Sequence, residues 1–523
     1  MKTGKKTRWL VYAALLAMSA LLLTACSSPS PATPTTPSTS APAKPLVIAQ
    51  GVDATTLDPN FHSETPTGNV ANQIYDRLIG RGSDMNFEPA LAVSWEPVTD
   101  TVWEIKLRND VKFHDGEQFT SEDVAYTLQR ILDPEKKSSQ AGNYSMISEV
   151  EIVDPFTIRL HTKNPFPILP SRLSTLRVVP KHYVESIGDA AFSTKPMGSG
   201  PYELVEWVKD ERIVLKAFEG YWGGAPAVKD VVFKPIPEPA SRVMALQAGE
   251  VDIIVNVPPY QASSLNNTPG AAAISVASIR SIFIPLIPNP GSPLSDPLVR
   301  LALNKAVNVE SIIANLLEGN GTAMTQALAN TEFGYHPDLQ AYGHDLAAAK
   351  SLLAQSSYPD GFTLRFLAPS GRYMMDKEVA EAVKNQLEEL GIKVDLVIQE
   401  WGVYVQKLLS RTVDADLFMI GWSSGIFDAD GTLFPWFRSG QTFGYYQLGE
   451  EKVAYMDSLL DKARSLLDAA GREDLYREAL EIIHDDAPWI PLYQQKDIYG
   501  VSDRVNWLPR ADESIVVFEA SWK

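Results

Sequence analysis

Val102-Trp103-Glu104-Ile105-Lys106-Leu107-Arg108, followed by Val111-Lys112-Phe113-His114-Asp115-Gly116 and Phe119-Thr120-Ser121-Glu122-Asp123-Val124, is the stretch on which the fold turns. Apolar and charged residues alternate in the first piece, the mark of a strand with one buried face. His114-Asp115-Gly116 supplies a turn. Thr120 to Asp123 then reads as a capping box, and Val124, Leu128, Ile131 and Leu132 fall on one helical stripe. Strand, turn and capped helix in direct succession predict an α/β architecture.

The same grammar continues outward. Val150 to Leu160 reads as a hairpin broken at Asp154-Pro155. From Asp376, the residues Val379, Val383, Leu387 and Leu390 form a helical stripe that Gly391 ends, and Ile392, Val394, Leu396 and Ile398 alternate as a strand. Leu475, Ala479, Ile482 and Ile483 predict another amphipathic helix, stopped by Pro488. No internal repeat is visible.

The amino-terminus reads differently. Lys2, Lys5, Lys6 and Arg8 precede an unbroken run of apolar and small residues from Trp9 to Leu23. That run is short for a membrane span and right for a secretory signal. Leu23-Thr24-Ala25-Cys26 holds the only cysteine of the chain. One thiol excludes an internal disulfide framework. Ser27 to Pro45 is almost wholly Ser, Thr, Pro and Ala, too poor in apolar surface to offset its ordering entropy. Its prolines favour an extended tether rising about 3.1 Å per residue. No other apolar run reaches spanning length, so the remainder is expected to be water-soluble.

Residues 1–25 as a leader and 26–45 as a tether leave a folded body starting near Leu46, long enough for two or more lobes. The whole chain carries a net charge of −18, and loss of the basic leader would take it to −22. Phosphate-backbone binding needs clustered Lys and Arg, so a nucleic-acid partner is not expected.

Several segments, in this order, resemble the large extracytoplasmic solute-binding proteins of peptide- and nickel-type ABC importers, family 5. Besides the opening stretch they are Gly198-Ser-Gly-Pro-Tyr202, Gly220-Tyr-Trp-Gly-Gly224, Ala245-Leu-Gln-Ala-Gly-Glu-Val-Asp-Ile253, Val299-Arg-Leu-Ala-Leu-Asn304 and Ala487-Pro-Trp-Ile-Pro-Leu-Tyr493. Leu23 to Cys26 likewise resembles the lipobox, whose cysteine is lipidated and becomes the first mature residue. The resemblance implies a two-lobed periplasmic-binding-protein-like fold, type II and cluster C in style. The chain would cross between lobes near Ile274 to Pro288 and near Pro491 to Val501. Lobe I would comprise 46–275 plus 493–523, with an extra subdomain at about 82–195, and lobe II 276–492. The expected partners are a short-peptide or small-molecule ligand, ABC permease subunits and, through Cys26, the outer face of a cell membrane. A monomer without cofactor is expected.

Arg372, in Pro369-Ser-Gly-Arg-Tyr373, leaves a strand's carboxyl end, where α/β folds present ligand groups. Its guanidinium can grip a carboxylate through two parallel hydrogen bonds. In peptide-binding relatives an arginine of this loop holds the ligand's C-terminal carboxylate, and the resemblance gives that role to Arg372. A purely structural arginine would instead pair with Asp376 or Glu400. The second segment is Gly421-Trp-Ser-Ser-Gly-Ile-Phe-Asp-Ala-Asp430. In many relatives an aspartate three residues after the tryptophan meets the ligand's amino group, and here Gly425 stands there. Asp428 or Asp430 is the expected substitute. Failing that, the cargo lacks a free amino group at this place, which favours modified peptides, glutathione-like compounds or opines. Trp401, Tyr404, Trp422 and Tyr373 are expected to supply flat walls, with Trp436 nearby, and His62, Ser63 and Thr65 a docking edge.

An enzyme reading centres on Ser423, since Gly421 to Gly425 fits G-x-S-x-G and His484 lies downstream. A nucleophile elbow needs a helix immediately after the serine, and Gly431 and Pro435 are poor material for one. HExxH, CxxC, P-loop and helix-opening GxGxxG patterns are absent from the sequence. A nickel chelate or an oligosaccharide as ligand remains an alternative within the same fold.

Overall fold

A computed structural model describes residues 44–523, apart from 290, 442 and 445–449. The leader, Cys26 and the tether up to residue 43 lie outside the described residues. Residues 44–523 cluster as one compact unit.

The opening stretch folds as read. Val102–Leu107 is the second strand of a four-stranded antiparallel sheet, between Ala92–Thr99 and Thr157–Thr162, with Ile147–Asp154 on the far edge. The helix Ser121–Leu132 follows, and Asp123 closes its N-terminus by accepting the Thr120 N–H at 2.9 Å. Val124, Leu128 and Ile131 are fully buried in an apolar cluster drawn mainly from residues 78–178. Asp154 ends one strand of the predicted hairpin and Thr157 begins the next, as the Asp-Pro break requires.

A nine-stranded sheet forms the spine. Its strands run in the order Ile420–Trp422, Ala271–Pro285, Trp489–Ser502, Ile253–Ile254, Leu46–Gln50, Asp230–Pro235, Arg212–Ala217 and Tyr202–Val208, while Gly321–Ala323 pairs with Trp489–Ser502 off this path. The two long strands, Ala271–Pro285 and Trp489–Ser502, lie antiparallel along most of their length. Apolar clusters gather at each end of them. One takes Leu46, Ile48, Tyr499 and Val501, and the other takes Ile284, Leu286, Trp489 and Ile490. On the second side a three-stranded parallel sheet packs Thr363–Ser370 between Lys393–Glu400 and Leu417–Phe418. The expected helix is Asp376–Glu388 and the strand after it Lys393–Glu400.

The register of the long strand pair shifts twice, between Ala277 and Ser281 and again between Ile282 and Phe283, and the first break is the larger. Ala277 faces Lys496 and Ser281 faces Gln494, so three residues on one strand oppose a single residue on the other. Such a bulge unpairs the backbone and re-aims side chains. Here the re-aimed side chain is Arg280.

A second constraint is a close backbone approach. A Cβ on Gly51, just past the first strand, would lie 1.8 Å from the carbonyl oxygen of Gly371, in the loop that carries Arg372. Only glycine permits this contact. Gly51→Ala should force the 370–373 loop away and cost about 1–3 kcal/mol, the usual range for overpacking. Urea unfolding of the variant checks this, and an unchanged midpoint would show that the approach carries no stability.

Candidate ligand-binding site

A cavity of about 930 Å³ is walled on one side by residues between 62 and 177 and by Asp512 and Ser514. On the other side stand Arg280, Arg372, Tyr373, Trp401 and the 420–443 region. Six arginines line it (Arg77, Arg81, Arg172, Arg177, Arg280 and Arg372) against the carboxylates of Glu64 and Asp512. A concave site with that balance attracts anions.

Arg372 is held from several directions. Asp376 accepts the backbone N–H groups of Arg372 and Tyr373 at 2.9 and 3.1 Å, and Asn256 donates to the Arg372 carbonyl at 3.0 Å. Burial raises the Asp376 carboxyl to about 6, against the pull of these backbone N–H groups. The guanidinium lies 4.8 Å over the Tyr373 ring and 5.6 Å from the Trp401 ring. Its ionic partner is Glu513 of the C-terminal segment, with Nη2 3.5 Å from Oε2. Asp376 and Glu400, the partners the sequence offered for a structural role, serve backbone instead. Glu400 caps its own helix by accepting the Gly402 N–H at 2.8 Å.

Glu513 is already occupied. Arg280 engages it through both Nε, at 2.7 Å, and Nη2, and also donates to Thr65 Oγ1 at 2.8 Å and to the Gly421 carbonyl at 2.9 Å. Burial alone would raise the Glu513 carboxyl, but the Arg280 charge and hydrogen bonds, with Arg372 behind them, hold it down at about 2. Two guanidiniums therefore share one carboxylate, and the cluster keeps a surplus positive charge.

The aromatic wall is partly as expected. Tyr373, Trp401 and Trp422 line the cavity. The Tyr373 hydroxyl donates to Gly421 O at 3.2 Å and the Trp422 N–H to Gly431 O at 3.0 Å, so both present ring faces while their polar tips are satisfied. Tyr404 is not at the wall: it is fully buried, and its hydroxyl donates to Met419 O. It faces inward on the helix Trp401–Leu409, where it stacks behind Trp401. Trp436 is likewise core. His62, Ser63 and Thr65 all line the cavity. Neither ring nitrogen of His62 has a partner among the described residues, and burial lowers its pKa to about 4 against the opposing charge of Glu64.

Asp428 and Asp430 do not replace the missing aspartate. Asp428 is buried and bonded to Arg472 at 2.7 Å. Asp430 takes Arg464 at 2.8 Å together with Arg172. Neither lines the cavity. The physical reason is desolvation: a carboxylate this deep must be matched by fixed cations. Gly425 itself does line the cavity. The pairing has a further effect, since Arg172 belongs to the segment Leu169–Leu173 and Asp430 to the opposite wall. Ile426, from the same loop as Asp430, is buried in the cluster of residues 78–178.

Ser423 lines the cavity, but His484 does not. The His484 ring stacks on Tyr342, and its Nε2 meets Gln340 O at 2.8 Å. Among the described residues no group of three or more His, Cys, Asp or Glu is placed to hold a metal ion. No helix among them is long and apolar enough to cross a membrane.

Sequence reasoning missed Arg280, Glu513, Arg77 and Arg177. An arginine inside an otherwise apolar extended run is the one signal that pointed to Arg280. Glu513 has none, because its meaning comes from the return of the C-terminus to the cavity.

Apolar clusters at the two ends of long paired strands, with an arginine-rich cavity walled by distant stretches of the chain, are the features of a solute-binding fold. A sequence model of the bacterial extracellular solute-binding proteins, family 5 Middle, matches residues 86–444, and the chain belongs to that family. It is a solute-binding protein of an ABC importer. The glutathione-binding protein GsiB of Salmonella paratyphi A is 30% identical over 464 residues, covering 87% of this chain and 90% of that relative. The periplasmic binding protein DppA of Helicobacter pylori, solved with the peptide STSA, superposes with a TM-score of 0.84 at 28% identity, over 92% of this chain and 98% of that one. AgaA of A. tumefaciens R10, solved with agropinic acid, gives 0.82 at 28% identity, over 92% and 99%.

The buried acid Asp497, on the long strand beside the bulge, yields a pH test. Burial raises its carboxyl to about 7, with the Glu513 charge adding to the rise. A carboxyl bound to its proton more tightly in the folded than in the unfolded state stabilises at low pH, and that share is lost as pH rises from about 4 to about 7. Asp497→Asn, which mimics the protonated acid, should remove this slope. Stability of wild type relative to the variant should fall across that window, and parallel melting curves would refute the assignment.

Proposed function

We propose that this protein captures a short peptide or peptide-like solute between its lobes and presents the closed form to a membrane permease, without chemistry on the solute. The observation that carries this reading is the surplus cation of the Arg280–Glu513–Arg372 cluster in the cavity wall. Arg372 fixes a ligand carboxylate. The faces of Tyr373, Trp401 and Trp422 hold the ligand's flat or apolar parts, and His62 borders the opposite side. Lobe I is assigned to 46–275 plus 493–523, with its subdomain at 82–195, and lobe II to 276–492. Cys26 is assigned as the lipid-bearing residue that keeps the monomer at the outer face of the membrane.

The chemistry at Gly425 refines the cargo. With Asp428 and Asp430 committed to arginines, nothing in this loop offers a carboxylate to a ligand ammonium. A blocked or displaced amino group is favoured, as in a modified peptide or an opine. Glutathione and agropinic acid, carried by relatives of this chain, are suitable first probes beside plain peptides.

Native mass spectrometry of the purified protein, followed by release of any retained solute, tests the reading directly. A peptide or peptide-like acid is expected, and a neutral sugar or a metal chelate would overturn it. Arg372→Ala should weaken binding of the identified solute by about 2–5 kcal/mol, as when one partner of a desolvated ion pair is removed. Unchanged affinity by calorimetry would remove Arg372 from the site. Gly425→Asp should gain what the chain lacks. Its Cβ would meet only Thr175 Cγ2, at 3.9 Å, so a side chain fits. The variant should prefer a tripeptide with a free amino terminus over its N-acetyl form by about tenfold more than wild type does, roughly one charge-assisted hydrogen bond. An unaltered preference would count against the placement of the ligand's amino end.

A further inference from the structure

We propose that Arg77 and Arg177 form a second anion subsite in the same cavity, so that the solute carries two carboxylates, one for Arg372 and one for this pair. The inference rests on the peptide-like reading above and narrows it to diacids.

Arg77 and Arg177 face each other across an isolated antiparallel bridge, so their side chains leave neighbouring backbone. Both reach one atom, and Arg77 also donates weakly to the Ser174 carbonyl at 3.5 Å. Nε and Nη2 of Arg177 donate to Asn72 Oδ1 at 3.0 and 2.7 Å, and Nη2 of Arg77 donates to the same oxygen at 3.1 Å. A neutral amide oxygen with two lone pairs thus receives three N–H groups from two cations. Neither guanidinium has a carboxylate within ion-pair distance among the described residues. Asp512, whose charge acts on both, is itself bonded to Arg510 at 3.1 Å and to the Ser514 N–H at 3.0 Å. Burial, and then the Arg77 charge, lower Arg177 to about 9.

Arginines away from the cavity are matched either by a ring of backbone carbonyls, as Arg242 is by those of Ile236, Pro237, Val255 and Asn256, or by a carboxylate. Arg130 is buried on Asp58, and Arg464 on Asp430. Arg77, Arg177 and Asn72 all border the cavity instead. An anionic oxygen pair entering there would take up donors that one amide cannot satisfy, in the bidentate geometry guanidinium favours. Ser514 joins this pair to the first cluster. It lies 3.4 Å from Arg77 Nη2, and its chain neighbour Glu513 holds Arg280 and Arg372. The two cationic clusters therefore flank one short stretch of the C-terminal segment, within reach of a single solute.

The test uses two N-acetylated peptides that differ by one carboxylate, Ala-Ala-Glu and its carboxamide isostere Ala-Ala-Gln, titrated by calorimetry. Wild type should bind Ala-Ala-Glu at least tenfold more tightly. Asn72→Asp supplies the pair with an internal carboxylate, so it should erase that preference while the melting temperature stays equal or rises. Arg177→Gln should erase the preference too, and the gain in stability with Asn72→Asp separates loss of the subsite from loss of the fold. Equal wild-type affinities for the two peptides, or a preference that survives Asn72→Asp, would overturn the second subsite and leave the peptide reading standing. Binding of neither peptide would overturn both.

Discussion

The Glu513 carboxylate, shared between Arg280 and Arg372, is the interaction on which the rest of the site depends. It joins three pieces of chain remote in sequence: the bulge of a long strand, the loop after the strand Thr363–Ser370, and the C-terminal segment. A buried carboxylate is expensive unless it is fully matched. Here two guanidiniums and the Thr65 hydroxyl surround it, and it stays ionised. Because one negative charge meets two positive ones, the same cluster that ties the segments together leaves a cation facing the cavity.

Geometry elsewhere serves that cluster. Regular pairing of the two long strands would place successive side chains on alternate faces. The two extra residues before Ser281 interrupt the pairing and let Arg280 reach Glu513 and Gly421 together. The Gly51–Gly371 approach fixes the loop of Arg372 from the other side, and Asp376 gathers its backbone N–H groups. Arg372 is thus held in place by backbone contacts, a preorganisation that lowers the ordering cost of any contact its side chain makes.

The aspartates of the 421–430 loop show how a carboxylate's role depends on what surrounds it. Asp430 lies between Arg172 on one wall and Arg464 behind it, and Ile426 is buried in the opposite cluster. These contacts hold the cavity's two walls together, and they withdraw acidic groups from it. The result is a site rich in guanidinium and poor in free carboxylate, suited to acidic solutes.

The sequence by itself determined the element grammar and the family. Period-two alternation at Val102–Leu107, the capping box at Thr120 and the helix from Asp376 followed by a strand are local facts, readable because hydrophobic periodicity and cap chemistry act within a few residues. The place of Arg372, Trp401 and Trp422 at the cavity was legible for a related reason: the first two stand just beyond the end of a strand, and Trp422 is the last residue of one. What only the tertiary structure decided is pairing. Tyr404 became core because the helical turn points it at Met419. Asp428 and Asp430 became structural because Arg472, Arg464 and Arg172 arrive from distant segments. Glu513, rather than a nearby acid, became the partner of Arg372. The energy of a charge is set by burial and by neighbours that arrive from far along the chain, and neither is written in its local sequence.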